Sequence, residues 1–134
     1  MIEQSGDSVD PTMFQVGKHQ VDQAVVVTVS GEVDMLSAPQ LAEAIRTSLA
    51  AAPAALIVDL SKVDFLASAG MTVLVTAQAE VVPPTRFAVV ADGAATSRPL
   101  KLMGLDTVLP LYSALDSALT SVDGGQTPAE WMRA

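Results

Sequence analysis

Apolar and polar positions along the chain fall into five short runs suited to strands, separated by stripes at helical spacing. Residues 13–18 alternate apolar and polar, as an edge strand does. Residues 24–29 are β-branched almost throughout and belong near the centre of a sheet. The intervening Lys18-His19-Gln20-Val21-Asp22 reads as a turn, so these two strands form an N-terminal hairpin. Ile57, Val58 and Leu60 give residues 56–60 the continuous apolar character of a covered strand. Residues 87–91 form another, closed by Asp92-Gly93, and residues 107–109 a last short one before Pro110.

Four helices fit between and after these strands. Ser37 with Gln40 three residues on has the form of a capping box, and Pro39 is tolerated in a first turn. Leu41, Ala44, Ile45, Ser48, Leu49 and Ala52 then share one face, and Pro53 ends the run. A second helix spans about 69–82, with Met71, Leu74, Val75 and Val82 as its stripe and Pro83-Pro84 as its stop. A short helix near 99–103 meets Gly104 as terminator. Ser113 with Asp116 opens a final helix carrying Leu115, Ala118, Leu119 and Val122 on one side. The order predicts an α/β domain: a mixed, mostly parallel sheet with an N-terminal hairpin, packed by about four helices. Its span is 13–122, between a loose segment, 1–12, and a tail, 123–134. In that tail the breaker-rich 124–128 puts Trp131 outside the core.

Composition narrows what such a domain does. The 134 residues suffice for one hydrophobic core. Half are apolar, yet no run approaches the roughly 20 needed to cross a bilayer. Met1-Ile2-Glu3-Gln4 lacks the basic and apolar parts of a secretory signal, so a cytoplasmic location is expected. With no cysteine there is no disulfide, thiol nucleophile or thiolate metal site. The net charge of −8, with seven scattered basic residues, repels nucleic-acid backbones and anionic membranes. It suits a protein partner with a basic face.

Candidate chemistry centres on Ser68, the only hydroxyl between Phe65 and Met71. A serine at a helix start either caps free backbone N–H groups or offers a place for a phosphate. Leu66-Ala67-Ser68-Ala69-Gly70 is one residue away from a G-x-S-x-G nucleophile elbow, but lacks its first glycine. The only histidine, His19, precedes the serine, whereas a hydrolase of that type places it after. A serine without an oriented base is a poor nucleophile, so a small serine esterase is the remote reading. Phosphate-loop and dinucleotide fingerprints are missing. Glu32 and Asp34 read as a solvated turn, and Asp59 and Asp64, flanking Ser61 near a strand end, as loop-positioning groups. No cofactor, metal or catalysis is expected.

Val29-Ser30-Gly31-Glu32-Val33-Asp34, a capped helix, Val58-Asp59-Leu60-Ser61 and then Ser68-Ala69-Gly70-Met71-Thr72-Val73-Leu74 together resemble a STAS domain. Leu102-Met103-Gly104-Leu105-Asp106 and the helix from Tyr112 to Leu119 resemble its closing segment. The likeness covers about 13–122. It implies a free-standing bacterial anti-sigma-factor antagonist, which captures an anti-sigma factor of the histidine-kinase ATPase type and frees a sigma factor for transcription. It also implies a switch, in which phosphate on a hydroxyl at the second helix's start weakens capture. The family's loop is commonly Asp-Ser-Ser-Gly or Asp-Ser-Thr-Gly, with the acceptor directly before glycine. Here those positions are Ala67-Ser68-Ala69-Gly70, so alanine stands at the usual acceptor: either Ser68 substitutes as the phosphorylation site or the switch is absent.

The resemblance places the partner-binding surface on Asp34, Leu36 and Ser37 together with Leu66, Ser68, Gly70 and Met71, at one end of the sheet. Each has a structural alternative: core for Leu66, close helix–strand packing for Gly70, helix stripe for Met71, loop closure for Asp34. Leu66→Asp is expected to abolish capture with the fold intact. A monomer or weak dimer is expected. The second non-enzymatic reading is a STAS subunit of a transporter ATPase or stressosome-like assembly.

Overall fold

The computed structural model describes residues 13–124, with side chains through Val122. The readings of 1–12, of 125–134 and of Trp131 therefore lie outside the described residues, whereas 123 and 124, expected in the tail, belong to the last helix. The elements run β1 (Gln15–Val21), β2 (Ala24–Val33), α1 (Ala38–Ala50), β3 (Ala55–Leu66), α2 (Ser68–Glu80), β4 (Arg86–Val90), α3 (Ser97–Leu102), β5 (Leu111–Tyr112) and α4 (Leu115–Gly124). They build one five-stranded sheet in the order β1-β2-β3-β4-β5. The β1–β2 pair is antiparallel and the remaining pairs are parallel. The expected mixed sheet, N-terminal hairpin and four helices are all present.

Period-two alternation sorts the strands onto two faces. Val27, Val29, Leu56, Val58, Phe87 and Val89 join Leu41 and Ile45 of α1 and Leu74 and Ala77 of α2 in the larger core. Ala24, Val26, Ala55, Ile57, Ala88 and Val90 form the second core with Ala118 and Val122 of α4. The smaller side chains on that face suit a single covering helix.

The boundaries differ where local pattern and tertiary context disagree. The hairpin turns at Asp22–Gln23, not at 18–22, and Val21 pairs directly with Ala24. Lys18, His19 and Gln20 are polar because they lie exposed on an edge strand, not because the chain turns there. β2 and β3 extend to Val33 and Leu66, beyond the expected ends at 29 and 60, because register shifts interrupt the pairing after Thr28 and again at Gly31. Each bulge breaks the alternation, so Leu60, Val63 and Leu66 are buried at intervals of three. Gly31, at φ +85°, supplies backbone freedom at the second shift. Asp59 accordingly lies inside β3, where it accepts the Ser61 N–H (2.9 Å).

Residues 107–109 are not a strand. A 3-10 turn occupies Leu105–Thr107, Leu109 is buried, and β5 follows Pro110. Proline lacks an N–H but keeps its carbonyl, which accepts the Val89 N–H at 2.9 Å, so Pro110 leads into the strand. At α4 the Ala118 N–H donates to the Ala114 carbonyl (3.2 Å), which puts Ala114 rather than Ser113 at the cap. Val82, expected in the α2 stripe, lies past the helix end and is 69% exposed.

Candidate functional site

β2 and β3 run parallel, and their last paired residues are Val33 and Leu66. The Ala67 N–H then donates to the Val33 carbonyl (2.8 Å), so the loops into α1 and α2 leave the sheet side by side. Carboxyl ends of parallel strands are where open α/β sheets present their loops. Both halves of the expected surface thus sit at this one end.

The loop into α1 is tied by its own polar atoms. Asp34 Oδ1 accepts the N–H groups of Leu36 (3.0 Å) and Ser37 (3.1 Å). The Ser37 hydroxyl accepts the Asp34 N–H (2.9 Å) and donates to the Glu32 carbonyl (2.9 Å). Ser37 is therefore buried and knots the loop instead of forming the expected capping box with Gln40; it makes no side-chain cap. The Ser37 N–H is the main reason the Asp34 carboxyl lies below its usual pKa; the Leu36 N–H and the Ser37 hydroxyl add to this against some desolvation. Closing the loop inward turns Met35 and Leu36 outward, and Leu36 is 84% exposed.

The loop into α2 is held by packing. A Cβ on Gly70 would meet Val33 Cγ1 at 2.6 Å and Leu66 Cδ1 at 2.8 Å, so glycine is what lets α2 start this close to the sheet. Leu66 is 3% exposed and belongs to the core. Met71 is half-buried against that core. The expectation that Leu66→Asp spares the fold fails here, because the substitution would bury a carboxylate.

Ser68 is not the cap of α2: Ala67, with extended backbone, takes that position. The Gly70 and Met71 N–H groups turn back to the Ala67 carbonyl (3.0 and 3.1 Å). Ser68 is exposed in the first helical turn, and its hydroxyl has no partner among the described residues. That turn carries no acidic residue. Of the expected residues, Leu36 and Ser68 face outward, Asp34 and Met71 lie half-covered, and Ser37, Leu66 and Gly70 support the rim from below.

Sequence reasoning missed the exposed Met35 and Phe65, and a neighbouring groove of about 490 Å³ walled by Phe65, Leu66, Pro99 and Leu102. The signal was present for Phe65, which follows the break in alternation in β3. For Leu102 the brevity of α3 hid which side faces solvent. His19 pairs with Val26, seven residues before the Val33 end of β2. That is roughly 23 Å along the strand from the Ser68 loop, too far for His19 to serve Ser68 as a general base.

The family model described as "Mlab, STAS domain" matches residues 16–112. Among curated proteins the chain is 44% identical over 101 residues to RsfB of Mycobacterium tuberculosis, an anti-sigma-F factor antagonist, covering 75% of this chain and 83% of that one. The crystal structure of an anti-sigma factor antagonist from Mycobacterium paratuberculosis is 45% identical, covers 85% of this chain and 97% of its own, and superposes with a TM-score of 0.81. Unphosphorylated SpoIIAA, an anti-sigma factor antagonist, shares the fold at 19% identity, covering 84% of this chain and 97% of its own, with a TM-score of 0.67. Those matches, together with a hairpin-led parallel sheet whose β3 runs straight into a glycine-seated helix, establish that the chain belongs to the STAS domain family.

Proposed function

We propose that this protein is an anti-sigma-factor antagonist that works by binding, without catalysis. The rim of Met35, Leu36 and Ser68 captures an anti-sigma factor of the histidine-kinase ATPase type, and capture releases the sigma factor. The observation that carries this reading is the pairing, at one end of the sheet, of an outward-facing Leu36 with a Ser68 hydroxyl that bonds to nothing among the described residues. The likeness to two mycobacterial antagonists over most of their lengths supports it. An acidic surface of net charge −8 favours a partner with a basic face. Among the described residues no helix is long and apolar enough to cross a membrane, and a cytoplasmic site of action fits this role.

Ser68 is the candidate for regulation. Phosphate there adds about −1.5 to −2 charge beside apolar contact residues, and desolvating it on docking opposes capture. The acid-free first turn of α2 tolerates the added charge. Incubating the protein with a candidate anti-sigma factor and ATP, followed by intact-mass analysis and titration calorimetry, tests both parts. Binding that Leu36→Asp weakens by tenfold or more supports the rim; binding unchanged by that substitution rejects it. A mass gain mapped to Ser68 supports the switch, and capture without any gain assigns constitutive antagonism instead.

A further inference from the structure

The sheet face turned away from α1 and α2 is covered over part of its length. There α4 packs Ala118 and Val122 against Ala24, Val26, Ala55, Ile57, Ala88 and Val90. The two cross-strand rows beyond change character. Gly17, Thr28 and Asp59 stand abreast in the first, and Gln15, Ser30 and Lys62 in the second. All six are half-buried or exposed. They border a recess of about 470 Å³, which Ser61, in the β3 bulge, also lines. Glycine at position 17 helps to keep the recess open, since a Cβ there would come within 3.2 Å of the Thr28 hydroxyl.

An uncovered sheet face is polar by default, so polarity alone is no signal. The placement of charge is. Asp59 and Lys62 bring opposite charges to the one recess but form no ion pair, and the Lys62 side chain has no partner among the described residues. Asp59 Oδ1 accepts the Ser61 N–H (2.9 Å), which leaves Oδ2 open. The Ser30 and Ser61 hydroxyls and the Gln15 amide are likewise unspent among the described residues. The rows of Asp59 and Lys62 are two β2 residues apart, about 6.6 Å along the strand.

We propose that this recess binds a free α-amino acid with a short polar side chain, its ammonium on Asp59 and its carboxylate on Lys62. The charged groups of an α-amino acid are about 3 Å apart, and a charge-assisted hydrogen bond adds about 2.8 Å at each end. The resulting span of roughly 8–9 Å is within reach of the two rows, because the lysine stem is long and flexible. A simple anion would meet the Asp59 carboxylate on a chain of net charge −8, and a simple cation would meet Lys62. A zwitterion satisfies both. Its side chain then lies among Ser30, Ser61 and Gln15, which donate and accept hydrogen bonds. Val16 and Val29 are the apolar side chains of the lining, and Val29 is buried, so an aromatic or large aliphatic ligand finds little surface to cover. The recess lies on the sheet face away from α2 and does not depend on the proposed function.

Titrating the full-length protein with L-serine, L-threonine, L-asparagine and L-glutamine, followed by amide NMR spectra, tests the site. The expected result is saturable shifts of the Gly17, Thr28, Ser30 and Lys62 amides with at least one of these probes, while the Leu36 and Ser68 amides stay in place. The N-acetyl and α-amide forms of that amino acid each lack one charge and should bind about tenfold more weakly or worse. Asp59→Asn keeps an acceptor for the Ser61 N–H, and Lys62→Gln alters an exposed position. Both variants should stay native by circular dichroism and weaken binding by a similar factor. Saturation by none of the probes would overturn the proposal. Equal binding of the blocked forms, or binding that survives both substitutions, rejects it as well. Saturation of the same amides by inorganic phosphate alone would assign a plain anion site in its place.

Discussion

Two helices leave the sheet next to each other, and their entrances use polar atoms in opposite ways. Ahead of α1, Asp34 and Ser37 spend their side chains inside the loop, on the N–H groups of Asp34, Leu36 and Ser37 and the Glu32 carbonyl. Ahead of α2, apolar contact among Val33, Leu66 and Gly70 fixes the chain, and the Ser68 hydroxyl bonds to nothing among the described residues. Both sequences put a serine at a helix start, yet one serine is structural and the other is available. What separates them is where the competing acceptors and donors lie, which depends on the neighbouring strand ends.

The comparison breaks most visibly at its packed half. Leu66→Asp places a carboxylate where the leucine is 3% exposed, in contact range of the α2 start. The expected cost is about 4 kcal/mol or more, a large share of the roughly 5–15 kcal/mol that holds a domain together. A urea titration followed by circular dichroism should show a mostly unfolded protein or a much lower midpoint. Gly70→Ala should cost less, about 1–3 kcal/mol, because the added methyl meets buried branched side chains that must shift. A wild-type midpoint for both variants would mean that packing does not hold this entrance.

The two serines give the next contrast. Ser37→Ala removes the hydroxyl that accepts the Asp34 N–H and supplies the Glu32 carbonyl, leaving partly buried groups unpaired at an expected cost of about 1 kcal/mol. Ser68→Ala removes an exposed hydroxyl and should stay within about 0.5 kcal/mol of wild type. Equal losses in parallel denaturation curves would erase the distinction between a structural and an available serine.

This contrast marks how far the sequence could be read. Regular alternation and helical stripes were sufficient for element order, because each buried face repeats with its own period: Leu56 and Val58 on one side, Ala55 and Ile57 on the other. They were insufficient past Thr28 and Leu60, where bulges change the period without any residue announcing it except Gly31. Ser37 looked like a cap because Gln40 follows at the right distance. Its hydroxyl instead bonds back to Asp34 and Glu32, a preference created by the strand end. Leu66 looked exposed beside Ser68, since nothing local reveals that α2 seats on it through Gly70. Residue identity located the rim; only the helix–sheet contact decides which of its members face outward.

The smallest effect sharpens the comparison most finely. Asp34 titrates below its ordinary value of 3.8, chiefly because its carboxylate accepts the Ser37 N–H. A carboxyl whose folded pKa is depressed stabilises the native loop above its unfolded value, and that contribution disappears as pH falls through the lower folded one. Below about pH 4, then, hydrogen-exchange protection of the Leu36 and Ser37 amides should decline. The Gly70 and Met71 amides, bonded to the Ala67 carbonyl, should keep theirs, because no carboxylate caps α2. A carbon NMR titration of Asp34 locates the midpoint itself. Ser37→Ala keeps the backbone N–H that dominates the shift, so the midpoint should stay below 3.8 and move up only slightly. A return all the way to 3.8 would assign the knot to the hydroxyl rather than to the backbone. The two entrances would then differ by one side-chain oxygen instead of by the course of the chain.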